Sequence, residues 1–397
     1  MFKRMGPGVL VAAAFIGPGT VTACTLAGAE FGYSLLWAMV LSIFATLFLQ
    51  EMAARLGIVT QGGLADVIKH EIQSPYVRSG LIVIVLGAIV IGNAAYEGGN
   101  IGGGSLGLEA IFGTDYISYY PFIIAISAFS LLYIGNYRIL EKVFIGLVVI
   151  MSASFILTAV IVRPDIERML NGIFVPTIPR EGILTVIALV GTTVVPYNLF
   201  LHTALVSEKW KLESDLPLAQ RDSMVSILLG GLVSMAVIVS AAAIPTGNMD
   251  TVMDLAKGLE PLYGNAAKYF MGIGLFAAGI TSAITAPLAA AYVANSCFSW
   301  KVGLKDIKFR LVWMVILMLG LGFMSLGIQP IEIIKFAQVT NGLLLPIIAI
   351  FLLWAVNRRS VMGKFKNKPI QNSLGIIVVT LSILLGGLSI FKVFGLF

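Results

Sequence analysis

Apolar residues in this chain come in long blocks separated by short polar segments, with neither strict alternation nor a narrow helical stripe. A helix needs about 20 such residues to cross a bilayer. Taken in order, the blocks predict eleven spans, at residues 9–29, 34–56, 78–107, 121–136, 142–163, 182–207, 222–244, 267–298, 310–327, 331–356 and 373–395. Ser74-Pro75 and Arg163-Pro164 mark stops between spans, and the basic stretch Lys364 to Pro369 reads as a hinge. No linker is long enough for a soluble domain. The spans have to be helical, because unpaired amides in hydrocarbon are too costly for anything but helices or closed barrels, and barrel-type alternation is absent.

Composition agrees and excludes more. Of 397 residues, 58% are hydrophobic and 12% charged, where a soluble domain carries roughly a quarter charged. The 42 glycines suit membrane helices. A soluble enzyme and a secreted disulfide scaffold are both excluded. The net charge of +6 would suggest nucleic acid in a soluble chain, but its placement gives another cause. With a cytoplasmic N-terminus, 19 of the 26 lysines and arginines fall on cytoplasmic segments and 7 on outer ones. The expected protein is therefore all-α and multi-pass in the cell membrane. Its N-terminus is inside, its C-terminus outside, and it has no nucleic-acid or obligate protein partner. Cys24 and Cys297 lie in apolar segments, so neither a redox framework nor a Cys-rich metal site is expected, and no cofactor is expected either. Met1 to Gly8 is short and basic, and Pro18 interrupts the apolar stretch after it, so no cleavable signal is expected.

Function should lie where spans break the rules. The first and sixth spans each hold a proline in mid-helix, in Gly17-Pro18-Gly19-Thr20 and Val195-Pro196-Tyr197-Asn198. Proline lacks an N–H, so the carbonyls of Ala14 and Thr192, four residues earlier, lose their helical partners. One such proline reads as a kink. Two, each opening a five-span half, point to an inverted-repeat transporter with its site between the interrupted helices. The halves would run over residues 1–163 and 180–357, with an additional helix over 370–397, all in one transmembrane domain.

Polar residues inside spans are few. Glu97, in Asn93-Ala94-Ala95-Tyr96-Glu97-Gly98-Gly99-Asn100, is either a proton or cation relay or a carboxyl held by neighbouring polar groups. His202 is either a relay or a structural bond between helices. Gln338 and Asn341 either ligate a cation or bond across helices. Glu30 and Glu51 sit at span ends, where solvation is expected. The glycines from Gly98 to Gly104 lack the Lys-Ser/Thr of a phosphate loop and read as helix packing through Gly98 and Gly102.

Several of these segments resemble the natural resistance-associated macrophage protein (NRAMP) family of divalent-metal transporters. Leu49-Gln50-Glu51-Met52-Ala53-Ala54-Arg55-Leu56-Gly57-Ile58-Val59-Thr60 is similar to the family's second-span signature. Tyr137 to Lys142 resembles its turn between spans four and five, Pro196 to His202 its sixth-span motif, and Phe336 to Pro346 its tenth. The resemblance implies a LeuT-like fold, two inverted five-helix repeats plus an eleventh helix. It also implies backbone ligands at Ala14 and Thr192, relay roles for Glu97 and His202, and a polar contribution from Gln338.

The departures carry equal weight. The family's first break reads Asp-Pro-Gly-Asn, whose Asp and Asn bind metal, and here those positions are Gly17 and Thr20. Its sixth break reads Met-Pro-His, where Val195 and Tyr197 stand, and the aspartate it carries before Glu97 is Ala94. The expected ligand set is thus Ala14, Thr20, Thr192 and Gln338, with Gly17, Val195, Tyr197 and Asn341 around the cargo. These are neutral oxygen donors, whereas soft metals prefer sulfur or imidazole. Mg²⁺ gives up water reluctantly, so a neutral, roomier site would suit hydrated Mg²⁺ better than Mn²⁺ or Fe²⁺. With both family aspartates missing, proton coupling should be weak or absent. The alternative cargo is a small anion or amino-acid-like solute drawn to the helix start near Thr20. A non-transporting sensor fits less well, and no nucleophile–base pair suggests an enzyme.

Overall fold

The computed structural model describes residues 6–179, 182–243, 266–326 and 330–393. It is built from helices, and no strand occurs among the described residues. The first expected span is a helix pair, α1 (Pro7–Phe15) and α2 (Pro18–Phe31), bent by 51° at the break. α3 (Leu36–Thr60) and the short α4 (Leu64–Glu71) follow, then α5 (Pro75–Phe112), α6 (Tyr120–Ile134), α7 (Tyr137–Ile161) and the short α8 (Ile166–Phe174). The sixth span is a second pair, α9 (Ile183–Thr193) and α10 (Pro196–Lys209). Then come α11 (Leu216–Ala242), α12 (Ala266–Cys297), α13 (Ile307–Ser325), α14 (Pro330–Asn357), α15 (Arg359–Met362) and α16 (Pro369–Val393).

Every expected span thus falls on a helix or a helix pair, and both interruptions are present. Proline opens each second half-helix, where its missing N–H is not needed and its fixed φ suits the first turn. The two breaks differ in one respect: the second does not bend its span by more than 40°. The third span is longer than expected, 38 residues, or about 57 Å of helix. The fourth is 15 residues, close to the expected length. Helices α4, α8 and α15 occupy linkers in which no element was expected.

Burial separates centre from periphery. The apolar stretch of α12 is 89% buried, while those of α7, α13 and α16 are 28% buried. Phe122, Ile126, Val160, Met318 and Ile376 are exposed on the outer helices. Such large apolar side chains on an outer surface match a bilayer, not water. The protein is an integral, multi-pass membrane protein.

Around the centre, α1 packs on α10 and α2 on α9, so the interrupted spans lie side by side with their breaks adjacent. α5 and α12 flank them. A methyl on Gly103 would overlap the ring of Pro18, and one on Gly279 would come within 2.7 Å of the Gly104 amide nitrogen. These positions must stay bare for α5 to reach the first break and α12 together. Helix packing is thus the use of the glycine run, and the close approaches fall at Gly103 and Gly104.

At the lysine-rich end, Arg55 pairs with Glu51 at 3.0 Å and donates to the Phe365 carbonyl and the Asn367 side chain, both at 2.6 Å. Gln220 also donates to Glu51, at 2.8 Å. Glu51 is therefore engaged in a network that ties α3 to α11 and to the segment before α16, while its side chain remains partly exposed at the span end. Glu30 is exposed, as expected.

Candidate functional site

The chemistry of the breaks starts with the two carbonyls that proline frees. The Ala14 carbonyl accepts from the Tyr197 hydroxyl at 3.4 Å, and the Thr192 carbonyl accepts from the Thr20 hydroxyl, also at 3.4 Å. The arrangement is reciprocal: each half-span supplies the hydroxyl that answers the carbonyl exposed by the other. The Thr20 hydroxyl has a single proton and its nearer acceptor is the Phe15 carbonyl, at the end of α1, so its contact with the Thr192 carbonyl is the weaker branch. At 3.4 Å these cross-bonds are long, near the limit at which hydrogen bonds retain strength.

Between them lies a small cavity lined by Ala14, Phe15, Gly17, Gly19, Thr20, Tyr96, Asn100, Thr192, Val195 and Tyr197. Six of the residues singled out from the sequence therefore meet at one place. The cavity measures about 10 Å³, close to the lower limit for one water. The neutral, roomier site expected for hydrated Mg²⁺ is not present in this conformation. The cross-bonds draw the half-spans together, and the Tyr96 and Tyr197 rings pack edge to face at 5.9 Å beside the space.

Glu97 does not line the cavity. It lies one turn from Asn100, fully buried, with Oε2 3.5 Å from the Asn100 amide nitrogen and Oε1 without a partner. Gly320 on α13 makes room for it, since a methyl there would come within 2.7 Å of the Glu97 Cβ. His202 stands apart from the cavity and is held on both sides. Its Nδ1 is 2.9 Å from the Gln50 Oε1 on α3, and its Nε2 is 3.1 Å from the Ser223 hydroxyl on α11. Both contacts run to other helices. The side chains of Gln338 and Asn341 lie outside the described residues.

Three polar groups here were not singled out by sequence reasoning. Asn100 lines the cavity, and Ser282 and Asn198 are buried with no partner on the serine hydroxyl or on either amide atom of the asparagine. A signal for Ser282 exists: Thr281, Ser282 and Thr285 form a hydroxyl cluster in the middle of an otherwise apolar span. Asn198 follows directly on the Pro196-Tyr197 break. Among the described residues, no three of His, Cys, Asp or Glu converge as a metal-holding group.

A second, larger cavity of about 640 Å³ opens at the lysine-rich end and is lined by polar residues including Gln61, Asp66, Ser207, Glu208 and Asn295. Its inner wall includes Ala204 and Tyr292. Ala204 is seven residues beyond Tyr197 on α10, about 10 Å of helix rise. All nine residues of α1 are buried. Asp222 on α11 accepts from the backbone N–H groups of Gly6 at 2.7 Å and Gly8 at 2.8 Å, holding the start of α1 in place.

Comparison with known proteins fits this architecture. A family profile described as "Natural resistance-associated macrophage protein-like" matches residues 8–392. Among similar sequences, a protein from Caldanaerobacter subterraneus subsp. tengcongensis named "Divalent metal cation transporter MntH" is 26% identical over 98% of this chain and 93% of its own length. One of the same name from Staphylococcus saprophyticus subsp. saprophyticus is 29% identical over 97% of this chain and 91% of its own length. The crystal structure of the Eremococcus coleocola manganese transporter superposes with a TM-score of 0.83 at 22% identity, covering 98% of this chain and 86% of that one. MhsT in complex with L-phenylalanine superposes with a TM-score of 0.63 at 16% identity, covering 96% of this chain and 98% of that one. The fold is the LeuT-like one expected, and the chain belongs to the natural resistance-associated macrophage protein family, a family of transporters and not of enzymes.

Proposed function

We propose that this protein carries a divalent metal cation across the membrane by alternating access, binding it between the breaks of the α1–α2 and α9–α10 spans. The cargo that suits the site best is Mg²⁺ keeping part of its hydration shell, ahead of Mn²⁺ or Fe²⁺. Divalent-cation transport is supported by family membership and by the names that the similar proteins carry. The preference for Mg²⁺ rests on one observation: the polar groups of the cavity are carbonyls, hydroxyls and an amide, with no carboxylate or sulfur among its lining residues. Such donors do not offset full dehydration of Mn²⁺ or Fe²⁺, and they lack the softness that selects transition metals. They can hold the waters that Mg²⁺ retains.

In this reading the conformation is a closed one. A cavity with room for about one water admits the cargo only when the cross-bonds from Tyr197 and Thr20 open. The 640 Å³ cavity is the route on the lysine-rich side, which the positive-inside rule assigns to the cytoplasm together with the N-terminus. The two interrupted spans then belong to inverted repeats over 1–163 and 180–357, with α16 appended. Proton coupling is weak or absent, since no carboxylate lines the cavity and both nitrogens of His202 are taken by structural partners.

The test is flux into liposomes containing the purified protein, with fluorescent indicators for Mg²⁺, Mn²⁺ and internal pH. The expected result is Mg²⁺ entry exceeding Mn²⁺ entry, with no acidification beyond the leak. Entry of Mn²⁺ without Mg²⁺ would overturn the preference. Absence of cation flux together with thermal stabilisation by an amino acid or organic anion would move the cargo to the non-metal class.

A further inference from the structure

Gly17 stands where the first break passes closest to α12. A methyl built on it would lie 2.6 Å from the Ser282 hydroxyl and 3.7 Å from the Asn100 amide oxygen. The place that a longer side chain at position 17 would fill is thus faced by two polar groups from two other helices. Ser282 is 1% exposed and its hydroxyl has no partner. Asn100 is 4% exposed and lines the cavity. The carboxylate oxygen of Glu97 near the Asn100 nitrogen is an acceptor for that N–H, and this leaves the amide oxygen turned toward Gly17.

The chemistry of this corner is specific. A divalent cation that keeps its waters presents only O–H donors to its surroundings, so every group that holds it has to accept. The hydroxyl oxygen of Ser282 and the amide oxygen of Asn100 both accept, and they belong to helices that contribute no backbone ligand at the breaks.

We propose that Ser282 and Asn100, facing bare Gly17, are outer-sphere ligands of the hydrated cargo, accepting hydrogen bonds from its waters, and that Glu97 orients the Asn100 amide for this purpose. The proposal rests on the reading of the site as a divalent-cation site and adds the ligands that replace a direct carboxylate. Glu97 is here a positioning residue, acting through Asn100.

The experiment uses the full chain in liposomes, with Mg²⁺ flux as the readout. The probe is cobalt(III) hexaammine, an exchange-inert complex whose N–H groups make outer-sphere contacts only. Wild-type flux is expected to be inhibited by it. Ser282→Ala and Asn100→Ala should each raise both KM for Mg²⁺ and the inhibition constant of the probe at least fivefold, with melting temperatures within two degrees of wild type. Glu97→Gln should weaken the probe in the wild-type background and have no further effect in Asn100→Ala. If the wild type carries no divalent cation at all, the cation reading falls and this proposal with it. If the wild type carries Mg²⁺ while both alanine variants keep wild-type KM and inhibition, this proposal alone falls. A lowered melting temperature in both variants without a change in the probe's inhibition makes them structural and equally overturns it. An additional effect of Glu97→Gln in the Asn100→Ala background removes the orienting role.

Discussion

The contact between Asp222 and the start of α1 gives the sharpest test of how the closed conformation is held. The first N–H groups of a helix have no partner inside it, and here the Gly6 and Gly8 N–H groups, in buried residues, are both satisfied by the Asp222 carboxylate on α11, at 2.7 and 2.8 Å. Asp222→Ala would leave both donors without an acceptor. An unsatisfied buried donor costs roughly 1–3 kcal/mol, so the docked state of α1 loses about 2 kcal/mol at the lower end, where water enters to replace the carboxylate. That corresponds to roughly a thirtyfold rise in the population with α1 undocked. Asp222→Asn keeps one acceptor oxygen and removes the charge, so its effect should be about half as large in free energy. The assay is the labelling rate of a cysteine introduced at Ala12, which is 1% exposed, in a background with Cys24 and Cys297 replaced by alanine. Labelling should accelerate in the order wild type, Asp222→Asn, Asp222→Ala. Equal rates in all three, at equal melting temperature, would refute the claim that this carboxylate fixes α1.

Other outcomes follow from the same geometry. Gly17→Asp combined with Ser282→Ala, which removes the hydroxyl 2.6 Å from the new Cβ, restores a carboxylate to the cavity. The Mn²⁺-to-Mg²⁺ flux ratio should rise at least tenfold, read with paired indicators. Glu97→Gln should leave the melting temperature unchanged and reduce Mg²⁺ flux about tenfold at subsaturating concentration; unchanged flux would remove Glu97 from the mechanism. His202→Ala leaves Gln50 and Ser223 without their interhelical partner, a cost of roughly 1–3 kcal/mol. Its melting temperature should fall, while flux per folded molecule stays near wild type. A loss of flux without a loss of stability would instead give His202 a relay role.

The membrane spans were legible because one property decides them: a block of about 20 apolar residues has no other stable form in a bilayer. The breaks were legible for an equally local reason, since Pro18 and Pro196 remove specific backbone bonds and so name Ala14 and Thr192 in advance. What could not be read is what depends on distant contacts. Nothing in the sequence pairs Gly17 with Ser282, 265 residues away, or Asp222 with Gly6. The size of the cavity depends on such contacts too. The tyrosine rings pack beside it and the cross-bonds run between the half-spans around it. The short helices α4 and α8 escaped notice because eight or nine residues carry too little periodicity to separate from a polar linker.

The reciprocity of the cross-bonds bears on how a site without a charged ligand can work in transport. A carboxylate at the break would hold a bare divalent ion strongly, and it would be a costly group to leave in the membrane between cycles. Neutral carbonyls have a different problem, because once freed by proline they cannot be left unpaired when the cargo departs. Here each is met by a hydroxyl from the opposite half, Tyr197 for Ala14 and Thr20 for Thr192, over bonds of 3.4 Å. Long contacts of this kind satisfy the carbonyls only weakly, the more so as the Thr20 proton has the Phe15 carbonyl as its nearer acceptor, and they would yield easily to the waters of an arriving cation. They also join one half-span to the other, so the contacts that stand in for the cargo are the ones that close the site around its place. A cation that opens them exchanges two weak internal bonds for its own, and no strong ligand opposes its release. On the proposed cation reading, the expected gain is a low barrier for turnover and the expected consequence is modest affinity. Replacing Thr20 by valine and Tyr197 by phenylalanine together should therefore slow the return of the empty carrier more than it weakens Mg²⁺ binding, a split that exchange flux and net flux measured side by side would resolve.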